Sequence, residues 1–152
     1  MLEVKSILMV CQGNICRSPM AEGFFTYQLN KIHSPISITS AGIGAVIDCP
    51  ADPHARDVMA QHGIDISGHR AHQATEDLIR RKDLILVMTR SHLSVLTKQF
   101  PVAKGKTFLL MHWSDEEIPD PFMQSKSAFN EVYQQIQLAW QNWGKRIVLC
   151  QI

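Results

Sequence analysis

Apolar residues run together, without alternating, at two places in this chain: Ser6-Ile7-Leu8-Met9-Val10 and Asp83-Leu84-Ile85-Leu86-Val87-Met88. A strand with one wet face alternates; a continuous apolar run of this length reads as a strand covered on both faces. The first strand is predicted over Val4 to Val10. A helix follows to about Lys31, with Ala21, Phe24, Phe25 and Leu29 at helical spacing and Pro19 in its first turn, where a helix tolerates proline. Ile36 to Thr39 is a short second strand ended by Ser40-Ala41-Gly42. Ile43 to Pro53 is an irregular loop whose Asp52-Pro53 step caps a helix that Gly63 stops. Asp65 to Gln73 is polar loop, and Thr75 caps a short helix. Asp83 to Met88 is the third strand. Ser91 to Phe100 is a helix closed by Pro101, and Lys106 to Met111 a fourth strand. A polar loop from His112 to Met123 leads into a last helix, Ser127 to Trp143. Its core stripe is predicted as Phe129, Val132, Tyr133, Ile136, Leu138, Ala139, Trp140 and Trp143. Strands alternating with helices give an α/β architecture: a four-stranded parallel sheet with helices on both faces, in flavodoxin-like layering. With no repeat or linker, residues 1–152 read as one domain.

Composition changes this picture little. The chain is 45% hydrophobic and 19% charged with a net charge of +1, which gives no global pull toward nucleic acid or an acidic membrane surface. No apolar run is long enough to span a bilayer or to serve as a signal peptide. The expectation is therefore a cytoplasmic, monomeric protein. Its four cysteines, Cys11, Cys16, Cys49 and Cys150, then read as reduced thiols open to catalysis, not as a disulfide framework.

Charge and chemistry concentrate between the first strand and the first helix, in Cys11-Gln12-Gly13-Asn14-Ile15-Cys16-Arg17-Ser18-Pro19. A loop folded over a helix N-terminus points backbone N–H groups inward and cradles an anion. Gly13 permits a sharp bend, and Asn14 tolerates a left-handed backbone. Arg17 supplies a planar fork for two phosphate oxygens. Cys11 stands at the floor, where the helix N-terminus, Arg17 and a hydroxyl from Ser18 each favour a thiolate. Backbone groups from Gln12 through Ser18 would hold the phosphoryl oxygens while Cys11 attacks phosphorus, without a metal or other cofactor. The leaving oxygen needs a proton and the second step an activated water. Asp120, in a loop stiffened by Pro119 and Pro121, is the best candidate; Asp115, Glu116 and Glu117 read as solvated charges.

Cys11 through Pro19 near the N-terminus, with Asp120-Pro121 late in the chain, resembles the low-molecular-weight protein-tyrosine phosphatases over essentially the whole chain. The resemblance implies that family's fold, with Cys11 as nucleophile, Arg17 as phosphate clamp and Asp120 as general acid and base. It implies further that Ser18 steadies the thiolate and that Asn14, Ser40 and His69 brace the loop. Cys16 matches a second loop cysteine able to form a reversible disulfide with the nucleophile. Ala41-Gly42-Ile43-Gly44-Ala45, His112-Trp113 and Glu117-Ile118-Pro119-Asp120-Pro121-Phe122 resemble the bacterial subgroup paired with membrane tyrosine autokinases of capsule and exopolysaccharide assembly. That likeness implies a phosphotyrosine protein partner, the kinase's cytoplasmic tail.

The chain departs from many relatives in two ways. Ala45 and Val46 give an aliphatic pocket wall where a tryptophan is common, and Phe122 stands where tyrosine often follows the Asp-Pro pair. Three rival functions share features with the chain. Thioredoxin-coupled arsenate reductases need two further cysteines in a segment near the third strand, and residues 70–100 contain none. Protein-arginine phosphatases carry a threonine where this chain has Ile15. A non-catalytic phosphotyrosine-binding module would be expected to lose Cys11 or Asp120. Phosphotyrosine hydrolysis is the reading that remains.

Overall fold

A computed structural model describes residues 3–149; Cys150, for which no special role was expected, lies outside them. The strands are β1 (Ser6–Cys11), β2 (Ser37–Gly42), β3 (Leu84–Val87) and β4 (Thr107–Leu109). The helices are α1 (Arg17–Lys31), α2 (Pro53–Gln61), α3 (Glu76–Arg80), α4 (Arg90–Gln99) and α5 (Lys126–Leu149), with single 3-10 turns at Pro101–Ala103 and His112–Ser114.

All pairings are parallel and the sheet order is β2-β1-β3-β4. The continuous apolar runs are explained by two separate cores. Ile7, Met9 and Cys11 of β1, with Leu84 and Leu86 of β3, face α1, α2 and α5. Leu8, Val10, Ile85 and Val87 face Ile79 of α3 and Leu96 of α4. Both central strands therefore bury every side chain from Ile7 to Cys11 and from Leu84 to Val87. Because β1 has β2 on one side and β3 on the other, the connections leave its carboxyl end in opposite directions and open a crevice there.

Two expectations about α5 need correction. Leu138 is exposed, not core: it lies two residues past Ile136, about 200° around the helix axis from it. The helix also continues past Trp143 to Leu149. Gly144 lies within it, with the Trp140 ring about 2.9 Å from where a Cβ would stand. The next turn then buries Ile147. β2 extends through Ser40-Ala41-Gly42, two of whose residues pair with Val10 and Cys11 at the end of β1.

Candidate active site

Residues Cys11 to Cys16 carry the chain from the end of β1 to the start of α1. Asn14 takes the left-handed backbone expected of it, at φ 59°, a conformation asparagine accepts more readily than most side chains. The close partner of the loop is the turn after β2. Ile43 N, Gly44 N and Val46 N donate to the carbonyls of Cys11, Gln12 and Gly13 at 3.0, 2.9 and 3.0 Å. Gly42 makes this approach possible: a Cβ there would sit 2.7 Å from the Gln12 carbonyl oxygen. The N-terminus of α1 differs from its neighbours. Asp52, Thr75 and Thr89 cap α2, α3 and α4 with side-chain oxygens, whereas no side chain caps α1. Its first N–H groups are left to bind an anion.

The cleft over this loop has a volume of about 200 Å³ and is lined by Cys11, Gln12, Gly13, Ile15, Cys16, Arg17, Gly44, Val46, Asp120 and Phe122. At its floor the Cys11 Sγ lies 2.9 Å from the Ser18 Oγ and receives the Asn14 N–H at 3.3 Å. Arg17 is almost wholly buried; its Nη1 donates to the Ile118 carbonyl at 2.9 Å, and its Nε has no hydrogen-bond partner among the described residues. A buried guanidinium with a free donor beside a sulfur nucleophile suits an oxyanion. Across the cleft, Asp120 is half exposed, with Oδ2 3.7 Å from the Arg17 Nη2 and Oδ1 accepting the Phe122 N–H at 3.0 Å.

Behind the loop, Asn14 is a buried hub. Its Nδ2 donates to Ser18 Oγ at 2.7 Å and to Ser40 Oγ at 2.9 Å, and its Oδ1 accepts the His72 N–H at 2.8 Å. The His69 Nε2 lies 2.7 Å from the Asn14 carbonyl oxygen. The Asn14 and Ser18 side chains thus sit behind the loop, with the Ser18 Oγ in contact with the sulfur, and the phosphate contacts expected of this loop are backbone ones. Ala45, expected in the pocket wall, does not line the cleft. Its N–H donates to Gln73 Oε1 at 2.9 Å, while the Gln73 Nε2 donates to the Ile43 carbonyl at 2.6 Å. Gly44 lines it instead, beside the expected Val46.

Burial pushes the Cys16 thiol well above its ordinary range, reinforced by Asp52, Cys11 and Asp120 and opposed only by Arg17. Burial also pushes the His92 imidazole down to about 4, with the Arg17 charge acting the same way and Asp120 and Glu117 against it.

Asp115 and Glu117 are exposed, as expected of solvated charges, and both pair with Arg90 at the start of α4. The Arg90 N–H donates to Glu117 Oε2 at 2.6 Å; its Nη2 donates to Asp115 Oδ1 at 2.6 Å and to the Asp115 carbonyl at 2.9 Å. Asp115 is kept at φ 51°. A signal for Arg90 existed in the sequence, since a cation in the first turn of a helix opposes the macrodipole and asks for another partner. Ile118 is the second anchor of this segment: fully buried, it donates its N–H to the Met88 carbonyl at 3.0 Å and offers its own carbonyl to Arg17. No sequence pattern marks such a backbone bridge.

This geometry has close counterparts. The Etp low molecular weight protein-tyrosine-phosphatase of Escherichia coli K12 is 41% identical over 147 residues, covering 96% of this chain and 97% of the relative. The solved structure of Wzb from Vibrio vulnificus in complex with benzylphosphonate superposes with a TM-score of 0.89 at 40% identity, over 94% of this chain and 99% of that one. A YwlE arginine phosphatase, a protein solved elsewhere from Bacillus subtilis, superposes equally well at 0.89 but at 28% identity, over 93% and 95%, as a mutant whose active-site serine is phosphorylated. Residues 6–148 match the family of low molecular weight phosphotyrosine protein phosphatases, and the chain belongs to that family.

Proposed function

We propose that this protein hydrolyses phosphotyrosine in proteins by two displacements at phosphorus. The Cys11 sulfur attacks, an S–P bond forms, and the bond to the tyrosine oxygen breaks as Asp120 gives that oxygen its proton. The Asp120 carboxylate then takes a proton from water, which attacks phosphorus and breaks the S–P bond to release inorganic phosphate. Loop N–H groups and Arg17 hold the three remaining oxygens through both steps. One observation carries this reading: Cys11, Arg17 and Asp120 line a single cleft, the first two buried and the carboxylate half exposed with its Oδ2 3.7 Å from the Arg17 Nη2. Val46 and Phe122 supply apolar walls for an aromatic ring. Ile15 in the lining, and the higher identity to tyrosine phosphatases than to the arginine phosphatase, favour phosphotyrosine over phosphoarginine.

Cys16 has the redox role in this reading. A Cys11 thiolate oxidised to its sulfenic acid by a peroxide, which is itself reduced to water or an alcohol, would condense with the neighbouring Cys16 thiol, giving a disulfide and water. The substrate we propose is the cytoplasmic tail of a membrane tyrosine autokinase of polysaccharide assembly. No helix among the described residues is long and apolar enough to cross a membrane, so contact with such a kinase would be through its tail.

Turnover of phosphotyrosine, phosphoarginine and aryl phosphates by purified protein, with a chelator present, tests the reading. Phosphotyrosine and aryl phosphates are expected to turn over undiminished by the chelator, Cys11→Ser to be inactive, and Asp120→Ala to slow poor leaving groups roughly 10²-fold or more while sparing good ones. Preference for phosphoarginine, or a Cys11→Ser protein that still turns over, overturns it.

A further inference from the structure

Nine large apolar side chains are exposed among the described residues, and four of them form two adjacent pairs, Val46-Ile47 and Phe122-Met123. Val46 and Phe122 line the cleft, and Ile47 and Met123 follow them directly in the chain. Ile47 is 62% exposed and Met123 87%. Exposed apolar residues scattered singly need no explanation; a cluster around a binding cleft does.

Met123 is also held in a conformation methionine rarely adopts, at φ 64°. The turn that imposes it is closed by the Gln124 N–H donating to the Pro121 carbonyl at 2.9 Å, and by Gln124 Nε2 donating to the Asp120 carbonyl at 2.9 Å. A strained residue that presents its side chain to water beside a reactive carboxylate has the marks of a functional position. Asp48 directly follows the first pair, while the second has Asp120 two residues before it and Lys126 three after it.

We propose that Ile47 and Met123 form two apolar lips that receive apolar side chains flanking the phosphotyrosine of a substrate segment. The proposal rests on the phosphotyrosine reading above and specifies its substrate class. An extended chain advances ~3.3 Å per residue, which brings the neighbours of a phosphotyrosine seated in the cleft onto its rim. Aliphatic or aromatic neighbours bury the lips; acidic neighbours leave them in water and meet Asp48, and are disfavoured.

Steady-state kinetics on two phosphotyrosyl peptides, one with apolar and one with acidic neighbours, tests this beside a small aryl phosphate. The apolar peptide is expected to be preferred about tenfold in kcat/KM. Ile47→Ser and Met123→Gly should each remove several-fold of that preference through KM and leave aryl phosphate turnover unchanged. Glycine at 123 keeps the turn, since it adopts positive φ freely. Equal processing of the two peptides, or a preference untouched by both substitutions, overturns the proposal while leaving the phosphatase reading intact. Failure to hydrolyse the aryl phosphate or either peptide overturns that reading, and the proposal with it. A wild-type dimer seen by light scattering, abolished by Met123→Gly with activity rising, would assign the lips to a second copy of this chain and also overturn it.

Discussion

Two loops meet at this cleft, and they are held by opposite means. The phosphate loop is anchored from behind by a buried hub, Asn14, and from the side by three main-chain bonds to residues 43–46. The acid loop, from His112 to Met123, is mostly exposed and is held by a few long-range contacts: Ile118 to Met88 and Arg17, Arg90 to Asp115 and Glu117, and Gln135 Nε2 to the Glu117 carbonyl at 3.2 Å. Preorganised donors must already stand where charge develops, because moving them during the reaction would cost the energy they are meant to supply. A proton donor must instead be open both to the leaving oxygen and to the incoming water. Rigid polar packing suits the first task and sparse surface contacts the second.

Breaking the hub tests the first half. Asn14→Ala strips partners from Ser18, Ser40 and the His72 N–H in a buried setting and leaves alanine in a left-handed backbone. The expected cost is about 3–5 kcal/mol of stability, together with a loss of kcat on good and poor leaving groups alike. Denaturant unfolding and kinetics on both substrate types measure it; a variant of wild-type stability would show that the loop does not depend on its hub.

His92 lies at the seam, buried near Arg17, Asp120 and Glu117. Its folded-state pKa is depressed, so between about pH 6.5 and 4 the unfolded chain binds a proton that the folded chain does not. Stability therefore falls on acidification through that window, by about 3 kcal/mol from this residue. His92→Gln should flatten the decline in melting temperature over this range, and parallel pH profiles for the two proteins would refute the assignment.

The smallest effect is expected in the exposed loop. Arg90→Ala should leave the melting temperature nearly unchanged, as surface ion pairs contribute little. It should slow turnover of poor leaving groups several-fold relative to good ones, by loosening the segment that carries Asp120. Uniform slowing across leaving groups would mean that Arg90 serves the phosphate loop instead.

The two loops were also unequally legible in the sequence. Cys11, Arg17 and the helix start lie within a few residues of one another, and local spacing with turn chemistry is what a sequence displays directly. The continuous apolar runs likewise announced strands covered on both faces. Asp120 could be found because two prolines frame it. Ile118, Gln73 and His72 could not, since they act through backbone groups or across tens of residues and leave no periodic trace. Ala45 was misplaced for a related reason: which residues of a turn face a neighbour depends on a register that only the folded pairing sets. Leu138 failed on geometry alone, being apolar but two residues off its helical stripe.

The main-chain bonds between residues 43–46 and the phosphate loop have a consequence for how this family can diversify. Backbone N–H and C=O groups are blind to the side chains beside them, so mutation at 45, 46 or 47 can reshape the mouth of the cleft while the reacting groups keep their places. Gly42 marks the border of that freedom, since any larger residue there would collide with the Gln12 carbonyl. Lineages can therefore explore new substrates on one side of residue 42 and inherit the chemistry unchanged on the other.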